Sequence, residues 1–102
     1  MSANEIRKND VNTQFTVTVE DGGTAVDISS ASTLEMVFKK PSGTKVTQTA
    51  SLINSGTDGK MKYLTVSDDL NEIGTWELQG HVVIGGGNWL TDIARFKVHR
   101  NL

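Results

Sequence analysis

The stretch Thr75-Trp76-Glu77-Leu78-Gln79-Gly80-His81-Val82-Val83-Ile84 decides the fold. Trp76, Leu78, Val82 and Ile84 share one parity while Glu77, Gln79 and His81 take the other, the two-residue period of a strand with one face in a core. Gly80 falls on the apolar parity without a side chain, so it marks a bulge or a close backbone approach. Gly85-Gly86-Gly87-Asn88 then makes a hairpin tip, and residues 89–99 return. Parity in the return shifts between Ile93 and Phe96, so one bulge is expected near Ala94-Arg95.

The same beat runs upstream. Phe15, Val17 and Val19 alternate with Thr16 and Thr18, Asp21-Gly22-Gly23 turns the chain, and Ala25, Val26 and Ile28 form a short return strand. Leu34, Met36 and Phe38 point inward with Glu35 and Lys39 outward. Lys40-Pro41-Ser42-Gly43-Thr44 is a turn, and Val46 to Leu52 comes back as one strand. Asn54-Ser55-Gly56-Thr57-Asp58-Gly59 is long enough to cross between sheets and feeds a strand over Lys60 to Val66, where the parity of Leu64 and Val66 predicts an irregularity or a strand end. Ser67-Asp68-Asp69-Leu70-Asn71-Glu72 has the look of a helix start with Ser67 as N-cap, but Gly74 cuts it to a corner. Residues 1–10 read as a polar N-terminal arm or edge strand. Residues 11–102 read as one all-β domain, an immunoglobulin-like β-sandwich of seven to eight antiparallel strands with no disulfide.

Size and charge narrow the function. A chain of 102 residues builds one core and no second domain to frame a cleft. A net charge of −2 and a pI near 5.6 give no drive toward nucleic acid or an anionic membrane, and neither partner is expected. With no cysteine there is neither a disulfide nor a thiolate metal site, which fits folding inside a cell. The start Met1-Ser2-Ala3-Asn4-Glu5 has no basic and apolar pattern of a secretory leader. No stretch approaches the roughly 20 apolar residues of a membrane span.

No catalytic, cofactor-binding or metal-binding residue is expected. Ser29, Ser30 and Ser32 have no activating base at a predictable spacing, and the glycine run at 85–87 lacks the lysine and helix of a phosphate loop. Aspartates in turns serve the backbone, and no segment alternates oxygen ligands as a calcium loop does. His81 and His99 are the only histidines and lack co-ligands at any telling spacing. The chain is therefore expected not to be an enzyme.

Partner-binding candidates are Trp89, Asn88, Ile6, Arg7, Arg95 and Lys97. Trp89 and Asn88 follow the glycine tip, where a large aromatic either anchors a partner or caps the open end of the core. Ile6 and Arg7 lie in the arm, which either stays solvated or adds a strand to a neighbour's edge. Arg95 and Lys97 alternate along the last strand, either as a basic stripe for an acidic partner or as charges that protect an edge. Trp76 is expected in the core.

Asp10-Val11-Asn12-Thr13-Gln14-Phe15-Thr16-Val17-Thr18-Val19, followed in order by Val26-Asp27-Ile28-Ser29, Phe38-Lys39-Lys40-Pro41-Ser42-Gly43-Thr44, Asp58-Gly59-Lys60-Met61-Lys62-Tyr63 and Gly74-Thr75-Trp76-Glu77-Leu78-Gln79, resembles the immunoglobulin-like N-terminal domain of bacteriophage baseplate upper proteins and related phage virion domains. The ordered set, from Asp10 to about Val98, carries the resemblance. It implies a non-enzymatic virion component, an adaptor or spacer of the tail or baseplate that docks to other phage structural proteins in symmetric copies. The localisation it implies is the virion, tail or baseplate before head, after synthesis in the host cytoplasm. The resembling domain normally continues into a longer adaptor, so a stand-alone copy is expected here, and a collar or head decoration protein stays open. Two further classes remain. One is a carbohydrate-binding module contacting the host surface through Trp89 and Tyr63. The other is a transient assembly factor.

Overall fold

In the computed structural model, residues 6–101 are described; residues 1–5 of the expected arm, and Leu102, lie outside the described residues. Eleven short strands form: β1 (Ile6–Arg7), β2 (Gln14–Thr18), β3 (Glu20–Asp21), β4 (Thr24–Ala25), β5 (Thr33–Lys39), β6 (Lys45–Thr49), β7 (Ser51–Leu52), β8 (Lys60–Leu64), β9 (Gly74–Ile84), β10 (Gly87–Leu90) and β11 (Ala94–His99). A six-stranded sheet has the order β1-β11-β9-β5-β6 with β10 also on β9; β2-β8-β7 makes the second sheet, and β3-β4 is a separate ribbon. The fold is an all-β sandwich. Every pairing is antiparallel except β1 on β11.

The alternation in the sequence sets which faces meet. Phe15 and Val17 of β2 and Met61 of β8 face Met36 and Phe38 of β5 and Trp76, Leu78 and Val82 of β9, all buried. Rings lock the two sheets, Phe15 lying 5.4 Å from Phe38 and 4.6 Å from Phe96, while within the six-stranded sheet Trp76 stacks on Phe96 at 5.7 Å. Each large side chain so buried contributes about 1.5–3 kcal/mol of transfer free energy. Trp76 is 1% exposed, and its indole N–H donates to Glu72 O at 3.0 Å, so the core's one indole leaves no donor unmet.

β9 returns to lie beside β5 after the β5-β6-β7-β8 excursion, a Greek-key path of the kind immunoglobulin-like sandwiches contain. The change of sheet is not made by the Asn54–Gly59 turn, as the sequence suggested. It is made at Ala50, whose N–H still donates to Leu34 O at 2.9 Å while Ser51 already pairs with Lys62 in the other sheet. Ala50 is buried between the layers. A methyl-sized side chain lets the strand change partners without opening the core.

The corner at 67–72 is a turn rather than a helix start. Asp68 has φ +69°, and it is the Asp69 carboxylate that accepts the Val66 N–H at 2.8 Å, while Ser67 caps nothing. β8 ends at Leu64, and Thr65 continues the inward parity, buried and tied to Thr13.

Candidate functional site

The six candidate contact residues fall on one lateral border of the six-stranded sheet. β10 and β11 lie end to end along the same side of β9, opposite β5. Leu90 pairs with His81 but Ala94 with Leu78, so three residues, Thr91 to Ile93, span two on β9. The bulge thus sits at 91–93, before the Ala94-Arg95 position read from parity. Gly80 explains it: a Cβ there would meet Met61 Cε at 2.7 Å, Thr91 Cγ2 at 2.9 Å and Val17 Cγ2 at 3.0 Å. The bare backbone admits Thr91, which seeds the bulge.

Trp89 stands opposite Val82, on the core side of the sheet, half-buried and packed against the core cluster. Asn88 is on the solvent side, with Oδ1 3.0 Å from His81 Nε2, and His81 Nδ1 lies 3.0 Å from Glu35 Oε1. Glu35, His81 and Asn88 therefore make a polar strap across β5, β9 and β10. These contacts, Glu35 first and Asn88 second, raise the His81 pKa above its ordinary 6.5.

Arg95 and Lys97 face solvent on β11, between inward-turned Phe96 and Val98. Arg95 Nη2 reaches Glu77 Oε2 at 3.2 Å, and Lys39 Nζ reaches Glu77 Oε1 at 3.8 Å. Ile6 pairs with Val98 and packs on the core, while Arg7 pairs with His99 and donates to Arg100 O at 2.9 Å. The described part of the arm thus adds a parallel strand to its own sheet. Lys8 N–H to His99 O, Asn9 N–H to Leu70 O and Asn12 N–H to Thr65 O continue that attachment across both sheets.

Sequence reasoning missed Glu35, His81, Lys39, Lys45, Glu77 and Ile93 as parts of this surface. They lie far apart in the chain, and only strand register brings them together. Among the described residues, the outer edges of β2, β6 and β10 carry no strand. A groove of about 460 Å³ runs between the β2 edge at Thr16–Thr18 and the bulge at Thr91–Asp92. A smaller recess of about 100 Å³ lies among Tyr63, Asp69, Gln48 and Lys40, below the few hundred Å³ that enclose a drug-sized ligand. Among the described residues no group of three or more His, Cys, Asp or Glu side chains is placed to hold a metal ion, and no helix is long and apolar enough to cross a membrane.

Comparison with protein-family models and with curated proteins finds no match to this chain.

Proposed function

We propose that the chain is a non-enzymatic structural component of a bacteriophage particle, an immunoglobulin-like adaptor or spacer of the tail or baseplate that docks to other virion proteins in symmetric copies. The observation that carries this reading is the ordered resemblance of five segments between Asp10 and Gln79, which here build the β2, β5, β8 and β9 framework of one sandwich. The surface offers what such a part needs. Unpaired edges on β2, β6 and β10 accept a partner strand through main-chain hydrogen bonds, and the charged border of β11 supplies selectivity. In a symmetric array each interface stays small, because effective concentration multiplies weak contacts.

A glycan platform is not favoured. Trp89 faces the core on β10, whereas Tyr63 sits on β8 of the other sheet with its hydroxyl engaged by Asp69. Cryo-electron microscopy and mass spectrometry of the purified particle test the proposal together. Stoichiometric protein with sandwich density at tail or baseplate is the expected result. Density on the head surface makes it a decoration protein, and absence from complete particles replaces the reading with that of an assembly factor.

A further inference from the structure

One row of the outward sheet face runs across four strands in register: Lys45 opposite Lys39, Lys39 opposite Glu77, Glu77 opposite Arg95. The row holds three cations and one carboxylate, and two of the cations, Lys39 and Arg95, pair with it. Two like charges directly opposite on neighbouring strands are unfavourable, so the Lys39–Lys45 pair is a cost that nothing in the core requires. Next to the row lies a depression of about 210 Å³ whose apolar lining includes Val37 and Ile93. Ile93, two residues before Arg95, is 52% exposed, and Leu90, on the other side of the bulge, is 63% exposed. A depression lined by Lys39 and Lys45 together with Glu77, Val37 and Ile93, beside a row in which cations outnumber carboxylates, is the profile of a surface for an acidic partner.

The chain itself carries such a partner. β3 and β4 form a ribbon that joins neither sheet, with all four strand residues exposed and Glu20 and Asp21 on one arm. Its two-residue tip, Gly22 and Gly23 at φ +60° and +85°, is narrow and has open space where side chains would stand. The ribbon leaves the β8 start, where Val19 N–H donates to Gly59 O. The cation row lies toward the other end, where Lys40 and Ser42 bond to Asn71 and Glu72 beyond the β8 finish. Within one copy, Glu20, Gly22 and Gly23 of the ribbon line the groove that Leu90, Thr91, Asp92 and Ala94 border, whereas the row stands on the outward face of the six-stranded sheet, so ribbon and row face different sides of the β10–β11 border.

We propose that the row Lys45–Lys39–Arg95, with Lys97, receives the acidic β3–β4 ribbon of a second copy of this chain, giving a head-to-tail contact. Such a contact is heterologous: it closes into a ring or continues as an array according to its rotation. The inference deepens the docking part of the function proposed above and rests on copies meeting one another, not on their place in a particle.

Charge exchange tests it by sedimentation velocity of the full chain at about 20 mM and about 0.5 M salt. Wild type is expected to self-associate at low salt and to weaken roughly tenfold or more at high salt. The pair Glu20→Lys with Asp21→Lys is expected to abolish association, as is Arg95→Glu with Lys97→Glu; mixing the two variants restores one contact, the intact ribbon of the second on the intact row of the first, and all four changes in one chain restore association with the charges exchanged. Melting curves show that each variant is folded, and Lys97→Glu alone serves if the Arg95 change unfolds the chain by repelling Glu77. A wild type that stays monomeric at about 1 mM at low salt overturns the proposal. So does association that the ribbon variant leaves intact, which assigns the basic row to another acidic segment or a different protein. A monomer that is nevertheless found in particles removes the self-contact and leaves the virion reading standing.

Discussion

Gly80 and Thr91 exchange two hydrogen bonds where the last strand breaks register: Gly80 N–H donates to Thr91 Oγ1 at 2.8 Å, and Thr91 N–H donates to Gly80 O at 3.0 Å. The hydroxyl also donates to Asp92 O at 3.0 Å, so one side chain supplies both ends of the bulge. Without it, the Gly80 N–H would be left without a partner inside a half-buried strand. Thr91→Val keeps the shape and removes the acceptor, and is expected to cost about 1–2 kcal/mol, with Thr91→Ser near neutral. Urea midpoints measure both; equal midpoints for valine and serine would show that the hydroxyl does not hold the bulge.

Gly80→Ala tests the same junction sterically. The added methyl would overlap Met61 Cε, Thr91 Cγ2 and Val17 Cγ2, two of them on branched side chains with little room to move. A loss of about 1–3 kcal/mol is expected. Val17→Ala in the same chain should recover part of it if crowding is the cause, and a purely additive double variant would discard that cause.

The Tyr63 hydroxyl donates to Asp69 Oδ2, the same oxygen that accepts Val66 N–H, while Asp69 Oδ1 accepts Gln48 Nε2 at 3.3 Å. One carboxylate thereby ties β8, β6 and the corner together. Burial first, then the hydrogen bond and charge of Asp69, push the Tyr63 pKa from 10.0 up to about 12. The folded state thus holds the phenol proton more tightly than the unfolded chain. This contribution is complete below pH 10 and drains away as pH rises through about 12. Tyr63 is the chain's single tyrosine, so absorbance titration reads it directly. Tyr63→Phe is expected to cost about 1–2 kcal/mol at neutral pH. Ionisation near 10 in the folded protein would contradict the tie.

Much of the sandwich was legible because buried and exposed residues alternate without interruption in its framework. Phe15 and Val17, Met36 and Phe38, and Trp76, Leu78 and Val82 all lie where their parity put them. The change of sheet at Ala50 was hidden, since Val46, Gln48, Ala50 and Leu52 keep one parity and neither glycine nor proline marks the step. The bulge was placed three residues late because its cause is a contact between Thr91 and Gly80, not a local preference. Counting seven or eight strands left out β3 and joined β7 to the strand read over Val46 to Leu52, while the arm or edge strand of residues 1–10 left β1 open and the return strand read at Ala25, Val26 and Ile28 is paired only over Thr24–Ala25. At the surface, Arg95 and Lys97 stood out as an alternating pair. Their partners Glu77, Lys39 and Lys45 did not, since cross-strand register is set by the whole sheet.

The two tryptophans should report opposite environments. Trp76 is enclosed, whereas Trp89 reaches the core from the end of β10 and keeps part of its ring in solvent. Acrylamide quenching of Trp89→Phe should therefore be weak, and that of Trp76→Phe strong. Trp76→Ala is expected to cost about 3–5 kcal/mol or to unfold the chain. Trp89→Ala should cost clearly less, and equal losses would place Trp89 in the core proper.

The strap Glu35–His81–Asn88 makes stability depend on pH in a direction fixed by its geometry. Both imidazole nitrogens of His81 meet an oxygen at 3.0 Å, an arrangement that a doubly protonated ring satisfies with two donated hydrogen bonds. The folded pKa accordingly lies above 6.5, with Glu35 as the main cause. A raised folded value means that the added stability is full below the unfolded pKa of about 6.5 and is lost as pH climbs through the folded value. His81→Gln should be less stable than wild type at pH 5, and the difference should shrink as pH rises through the folded value. The side chain is 27% exposed, so solvent screening holds the difference to less than about 1 kcal/mol. Paired denaturant titrations from pH 5 to 8 measure it, with imidazole NMR shifts giving the folded pKa. A wild-type advantage that stays constant across this range would show that His81 contributes packing and no charge to the β9–β10 hairpin.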